Sequence, residues 1–319
     1  MLRHFKNFGS CQILLDSNEF VPKGCISGLV KLNLNEQITV EKLQVSLSTS
    51  EMYNYNAGKS SRSKSYDIGV FPCEVLDFTS LYFSKGKDSF RLSFQLPESF
   101  YEDASLHADD YKLTCSNFFK VMLSTNKGEL YYTDLLEMAD ASEGRMHQIS
   151  TSIVNQGVQA NLQINISPLR LEQEATAVVK ASSKATIRDL DIQLALRQEF
   201  TIADLATSSS TSAQVIGQIN LSKERPAKFR FKPNENYQSH PGLYLKNEIY
   251  LDVQVFKKGL LGGRYHTERS FPLTIKGVRK PAAPVELLNS RLAPSAVVNR
   301  LMKMLLGPRK MLESLLRWW

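Results

Sequence analysis

No apolar run in this 319-residue chain reaches ~18 residues, the length a helix needs to cross a bilayer, so no membrane-spanning helix is expected. Cysteine is scarce and scattered. Cys11, Cys25, Cys73 and Cys115 form no C-x-x-C pair, which argues against a zinc ribbon or a disulfide framework and makes reduced core residues the expectation. Catalytic signatures are missing as well: the chain carries no G-x-G-x-x-G, Walker A, G-x-S-x-G or H-E-x-x-H sequence. The five histidines, His4, His107, His147, His240 and His266, lie far apart without metal-ligand spacing. The opening MLRHFKNFGSCQILLD has charges where a secretory signal would carry its apolar core. The sequence therefore predicts a cytosolic protein that is not an enzyme, with no cofactor and no metal.

What is present is a globular composition, 42% hydrophobic and 22% charged, over a length that suits two domains of about 130 to 150 residues plus a tail. Thirty-nine basic against 32 acidic side chains leave a net charge of +7, an excess that favours acidic partners. Nucleic acid is not expected, because the basic residues show no interleaved aromatic platform on a strand.

Short β-branched and aromatic runs recur through residue 276, while helix-period stretches are almost absent before residue 285. Candidate strands include Cys11–Leu15, Ile26–Asn33, Leu43–Ser48, Phe90–Gln95, Phe118–Ser124, Thr176–Ala181, Asp189–Arg197, Ala227–Phe231, Glu248–Phe256 and Ser270–Ile275. In the third of these, Leu43, Val45 and Leu47 alternate with Gln44, Ser46 and Ser48, which predicts one buried and one wet face.

An internal repeat adds more. GCISGLVKLNLNEQITVEKLQVSL at 24–47 and EATAVVKASSKATIRDLDIQLAL at 174–196 share a strand reaching a V-K pair, a polar turn, and a second alternating strand. Val30-Lys31 answers to Val179-Lys180. Later, YKLTCSNFFKVML at 111–123 answers to YLKNEIYLDVQV at 244–255, each preceded by a short strand with two phenylalanines that ends in proline, Phe90–Pro97 and Phe229–Pro233. Two tandem β-sandwiches are the economical explanation, since each strand set needs a second sheet over its apolar face. The predicted layout is an all-β body with one sandwich over 1–165, a second over 166–278, a proline-containing tether over 279–294, and an amphipathic helix or helix pair over 295–319. Pro168, which cannot donate to a ladder, marks the join. Two polar stretches, 54–64 and 207–214, are expected to be loops emerging from equivalent hairpins.

Gly24-x-x-x-Gly28-x-Val30-x-Leu32 with Leu43-x-Val45-x-Leu47, Phe94-x-Leu96-Pro97-x-x-Phe100, and Ile187-x-x-Leu190-x-Ile192-x-Leu194 with Ile249–Phe256 together resemble the arrestin-like fold superfamily. The second half is most similar to the arrestin-fold subunits of retromer and retriever, and bacterial arrestin-like proteins of the sporulation-control type fit equally well. The resemblance implies two immunoglobulin-like sandwiches forming a scaffold without a catalytic centre. It also implies binding of cargo tails or sorting-complex subunits at an endosomal membrane. There is no P-P-x-Y motif and no pair of adjacent lysines in the first strand, which argues against ligase recruitment and phosphate sensing of the receptor-binding kind.

Three local features are candidate sites. His107 with Asp109 and Asp110 is the one local acid–base cluster, and it also reads as an acidic connecting loop. Lys59, Ser60, Ser61, Arg62, Ser63 and Lys64 put three cations and three hydroxyls within six residues, a stretch able to bind phosphate or to change sign on phosphorylation; a flexible, wet loop is the other reading. The C-terminal segment switches to helical period, with Ser295 as cap and Gly307-Pro308 dividing it. Leu301, Met302, Leu305, Leu312, Leu315, Leu316, Trp318 and Trp319 are its candidate membrane or partner contacts, and Arg300, Lys303, Arg309, Lys310 and Arg317 its candidate contacts with anionic lipid. Half-burial of six such side chains gains about 5 to 9 kcal/mol before ordering costs, enough for reversible attachment at an interface. Docking on a partner or on its own sandwich uses the same apolar stripe, and so does self-association, as in a regulatory or stress-response protein whose tail controls oligomerisation.

Overall fold

The computed structural model describes residues 8–57, 60–83, 86–98, 100–108, 111–155, 158–183, 190–203, 207–210, 213–220, 226–258, 264–279, 281–291 and 293–294. These residues are almost wholly strand. One sheet has the order β21 (Val285–Arg291), β1 (Gly9–Leu15), β2 (Cys25–Leu34), β5 (Gly86–Gln95). A second has the order β22 (Ala293–Pro294), β8 (Gly128–Leu136), β7 (Tyr111–Thr125), β3 (Ile38–Ala57), β4 (Ser60–Phe83), with β6 (Ala104–Ala108) also on β7. Their inner faces share one core, in which Ile13, Val30, Val45, Phe119, Val121 and Tyr132 are at most 1% exposed.

The second pair of sheets repeats this plan. One has the order β16 (Ala227–Phe231), β12 (Ala175–Ser183), β10 (Val158–Ile166), β9 (His147–Asn155). Its partner is built on β13 (Leu190–Ile202) and β18 (Leu245–Lys258). β14 (Thr207–Ser210) and β15 (Gln214–Asn220) lie beside β13, and β17 (His240–Pro241) and β19 (Arg264–Leu273) beside β18. A short parallel pair, β11 (Leu169–Arg170) with β20 (Ile275–Lys276), closes the end of the sandwich. Ile164, Val179, Ile192, Leu194, Leu251 and Val253 centre the second core. The strand pairs match one to one: β2 with β5 answers to β12 with β16, and β3 with β7 answers to β13 with β18. The quoted glycine pattern also has a local cause, since a Cβ on Gly28 would sit 2.5 Å from the Leu14 carbonyl oxygen across the β1–β2 ladder.

Several expectations are corrected. β9 and β10, read from sequence as part of the first half, pair with each other, β10 pairs with β12, and together they supply Ile153, Leu162, Ile164 and Ile166 to the second core. Pro168 breaks a strand inside the second sandwich instead of separating the lobes. The tether is not one: β21 pairs with β1 and β22 with β8, and Leu287 is buried in the first core. Pro281 and Pro284 fall just ahead of β21, where a missing N–H costs no ladder bond. Both polar stretches are paired strand over most of their length, with Tyr55 opposite Arg62 and Phe200 opposite Ser209; they do emerge from equivalent hairpins. The face of β3 expected to be wet holds buried Ser46 and Ser48, because the larger Lys120 and Phe118 stand opposite them on β7. Cys25 is exposed, whereas Cys11 and Cys115 are buried thiols, and burial pushes Cys11 up to about 12. The helix predicted over 295–319 lies outside the described residues.

Candidate functional site: the junction between the sandwiches

β3 is long enough to run past its own core, and its far end, with β6 and the start of β7, meets the second sandwich. Tyr53, Leu106, Leu113 and Cys115 pack there against Phe200, Ile202 and Leu245. Alternation keeps the odd residues of β3 on one face, so after Leu43, Val45 and Leu47 the same face presents Glu51 and Tyr53 to the neighbouring lobe.

Glu51 is fully buried, a position that demands compensation for its charge. One carboxylate oxygen lies 2.8 Å from Nε2 of buried His240, whose Nε2–H is the donor this acceptor requires. The other accepts the backbone N–H groups of Tyr244 and Leu245 at 2.9 and 3.0 Å. The turn that supplies these groups must pass the carboxylate closely: a Cβ on Gly242 would stand 1.8 Å from Glu51 Oε1, so only glycine fits. Tyr244 then stacks on Tyr66 at 4.3 Å.

Beside this pair lies a second polar group. Gln238 donates from Nε2 to Glu102 Oε2 and to the Asp103 carbonyl at 3.0 and 3.1 Å, and the Gly277 N–H also reaches Glu102. Asp103 accepts from Met138 N and from Asn117 N and Nδ2. Burial nevertheless pushes its carboxyl up to about 7, against the downward pull of those N–H donors. Arg170, 7% exposed, donates to the carbonyls of Asp140, Ser142 and Gly277. Lys276 pairs with Asp140 at 2.6 Å; burial raises the Asp140 carboxyl, and the bonds from Lys276 and Ser142 outweigh it and hold it below its ordinary value. Chain segments of both sandwiches are thus tied by buried and part-buried polar bonds.

A groove of about 380 Å³ opens along this seam, with Phe100, Tyr101, His240, Pro241 and Pro272 among its lining residues. Its acidic groups are engaged, Glu102 and Asp140 as above, Glu98 with Lys23 and Glu248 with Lys246. The enclosed Glu51–His240 pair can hold two bodies in one geometry, and the Tyr101 ring lies 5.8 Å from the His240 ring.

The junction face continues onto the tip of the β3–β4 hairpin, where Tyr55, Tyr66 and Tyr111 pack against the shared cluster. Cross-strand pairing puts Tyr111, Tyr55 and Arg62 in one row and Leu113, Tyr53 and Lys64 in the next, all on one face. Tyr55 stacks on Tyr111 at 4.6 Å, and Lys64 Nζ sits 4.9 Å over Tyr66. Residues 61–65 are exposed throughout.

Of the sequence candidates, the structure thus brings Arg62 and Lys64 into an ordered array with tyrosines, and puts Ser61 and Ser63 on the opposite face. Ser60 opens β4, and Lys59 lies outside the described residues. His107 is exposed on β6 opposite Lys112; Asp109 and Asp110 lie outside the described residues. His147 is half-buried beside the Thr274 carbonyl, and burial lowers it. The tail candidates, from Arg300 to Trp319, also lie outside. Sequence reasoning missed Glu51 and His240, which are 189 residues apart. The available signal was a glutamate in register with an apolar stripe. It missed the tyrosine rows for the same reason, since their members come from three strands. Among the described residues no three of His, Cys, Asp and Glu converge in a way that could hold a metal ion, and no helix is long and apolar enough to cross a membrane. No family model matches the chain, and no curated protein matches it in sequence.

Proposed function

We propose that this chain is a non-enzymatic, arrestin-like adaptor. Its two sandwiches bind protein partners, either cargo tails or sorting-complex subunits, and residues 295–319 attach it to an anionic membrane surface at the cytoplasmic side of an endosome. The observation that carries the reading is the junction: a buried carboxylate bonded across the seam fixes two duplicated sandwiches as one body, while β5, β9 and β16 end their sheets among the described residues. Such a body presents binding surfaces at a set spacing, which is what an adaptor needs. Open edges offer main-chain groups to an extended peptide without requiring a sequence motif. The resemblance of the glycine and alternation patterns to arrestin-fold proteins supports the same assignment.

Liposome flotation tests it. The comparison is between the full chain and a chain ending at Pro294, which keeps every described strand. The full chain should float with anionic liposomes, less so as salt rises, and the shorter chain should not. If neither floats, the tail serves a protein contact; if the full chain sediments as an oligomer and the shorter one as a monomer, the tail controls assembly instead.

A further inference from the structure

We propose that the outer face of the β9–β10–β12–β16 sheet, in the second sandwich, docks an extended acidic segment of a partner protein, with Lys180 and Lys228 meeting its carboxylates. The inference deepens the adaptor reading by naming one partner surface and its chemistry, and it rests on that reading.

Leu162, Ile164 and Val179 fill the second core, so strand alternation turns Gln163, Asn165, Val178 and Lys180 outward. Strand register sorts this face into two rows. Ser150, Gln163 and Lys180 form one, and Gln148, Asn165, Val178 and Lys228 form the other. Of these, Gln148, Ser150, Gln163, Lys180 and Lys228 are exposed. The two cations stand on a diagonal, on neighbouring strands and in neighbouring rows, close enough to repel each other. On the other sheet of the same sandwich the cations are answered: Arg197 pairs with Asp252 and Glu199, and Lys246 with Glu248. Here the pair Arg230–Glu174, 3.7 Å apart, occupies the next row, beside Thr176, and Lys180 and Lys228 stand outside it. The stretches that follow Lys180 and precede Lys228, residues 181–189 and 221–225, each carry two cations and one acid.

The first sandwich keeps the same arrangement. Gln12 stands opposite Lys31 as Gln163 does opposite Lys180, and Leu29 stands opposite Arg91 as Val178 does opposite Lys228. Both copies thus hold a diagonal of cations beside an amide. They part at the neighbouring strand, where Glu286 of β21 accepts from Gln12 and the second sandwich has Gln148 in its place. The first face carries its own acid, and the second takes one from outside.

Row spacing sets the pattern of that partner. Rows two residues apart lie about 6.7 Å from each other, the distance between alternate side chains of an extended chain, so acids at every second position reach both cations. Asn and Gln amides donate and accept, which suits a peptide main chain, whereas the phosphate oxygens of a lipid or nucleic-acid surface call for donors only. Neither row holds an aromatic ring on which a base could stack.

The probe is a fluorescein-labelled decapeptide of five Glu-Ser repeats, measured by anisotropy with the full chain in the absence of membranes. Binding should be saturable, should fall with salt, and should weaken about tenfold or more in Lys180→Glu/Lys228→Glu. The charge-matched variants Lys31→Glu/Arg91→Glu and Lys112→Glu/Lys127→Glu should weaken it less than about threefold. Gln163→Leu/Asn165→Leu, which keeps both cations, should also weaken it, with an unchanged urea midpoint as the check on folding. Equal weakening by all three charge reversals would reduce the effect to net charge and overturn the site, as would equal binding of a Gln-Ser peptide or no binding of the acidic one. Tighter binding of a labelled twelve-nucleotide oligothymidylate, lost in Lys180→Glu/Lys228→Glu, would make the face a nucleic-acid surface instead. Flotation of the chain ending at Pro294 on anionic liposomes, lost in the same variant, would make it a lipid contact. Because the peptide assay contains no lipid, its failure leaves the flotation of the full chain standing, and failure of the full chain to float leaves peptide binding standing.

Discussion

The two sandwiches share a strand plan but complete it differently. In the second, the strand beside β10 is β9, joined to it through a tight hairpin in which Asn155 pairs with Val158. In the first, the strand beside β1 is β21, where Ile13 pairs with Leu287 from the far end of the chain. The second lobe is therefore built largely from neighbouring sequence. The first has to wait for a segment some 270 positions away, so its closing contact is of very high sequence separation, the kind that forms late in folding. Identical topology thus hides two different dependencies.

Removing the distant strand should break the comparison most sharply. A chain ending at Val278 loses the β21 ladder and the buried Leu287, and should cost the first lobe about 5 kcal/mol or more. Hydrogen exchange should rise in β1 and stay low in β10. A chain ending at Pro294 should show neither change.

Next in size is the seam. Glu51→Ala leaves His240 and two backbone N–H groups without their acceptor and should cost about 3 to 5 kcal/mol, seen in urea unfolding. Exchange at the Tyr244 and Leu245 amides should accelerate. Glu51→Gln, which keeps one carbonyl oxygen, should cost less.

Equivalent core positions give a finer test. Ile13 and Ile164 are both fully buried and sit opposite Val30 and Val179. Each Ile→Ala should cost about 3 kcal/mol. Only Ile13→Ala should also loosen β21, because its cross-strand neighbour is Leu287; equal loosening of β21 by both variants would erase the distinction between the lobes.

The last test belongs to Asp103. Its folded carboxyl is raised to about 7 from an ordinary 3.8, so the folded state holds the proton more tightly than the unfolded one. That contribution is complete below the ordinary carboxylate range and is lost as pH rises through about 7. Tm should fall across this window, and Asp103→Asn should flatten the slope whatever it does to Tm itself.

How much of this was legible in the sequence follows from the range of each signal. The duplicated strands were readable because alternation is local: Val30-Lys31 and Val179-Lys180 carry their pattern within a few residues. β21 was not, because VELLNSR is short and sits among prolines that read as a linker; the partner that makes it a strand, β1, is remote. β9 and β10 were assigned to the wrong lobe because Pro168 is a strong break and nothing nearby tells a break within a sandwich from one between two. The basic hairpin was read as a loop because its polarity outweighs its tyrosines, and the residues that order it, Tyr111 on β7 and Tyr244 in the turn before β18, lie far off in the sequence. Glu51 drew no reading, because only the fold brings His240 to it.

The pairing of β21 with β1 also has a mechanical side. Any pull on residues beyond Pro294 first loads β22 on β8 and then β21 on β1, along the strand axis. The ladder bonds then share the load side by side instead of opening one after another, as they would if the strand were peeled from its end. A membrane-held tail would therefore grip the body through a joint that resists sliding, and the force would enter at the first sandwich without crossing the seam.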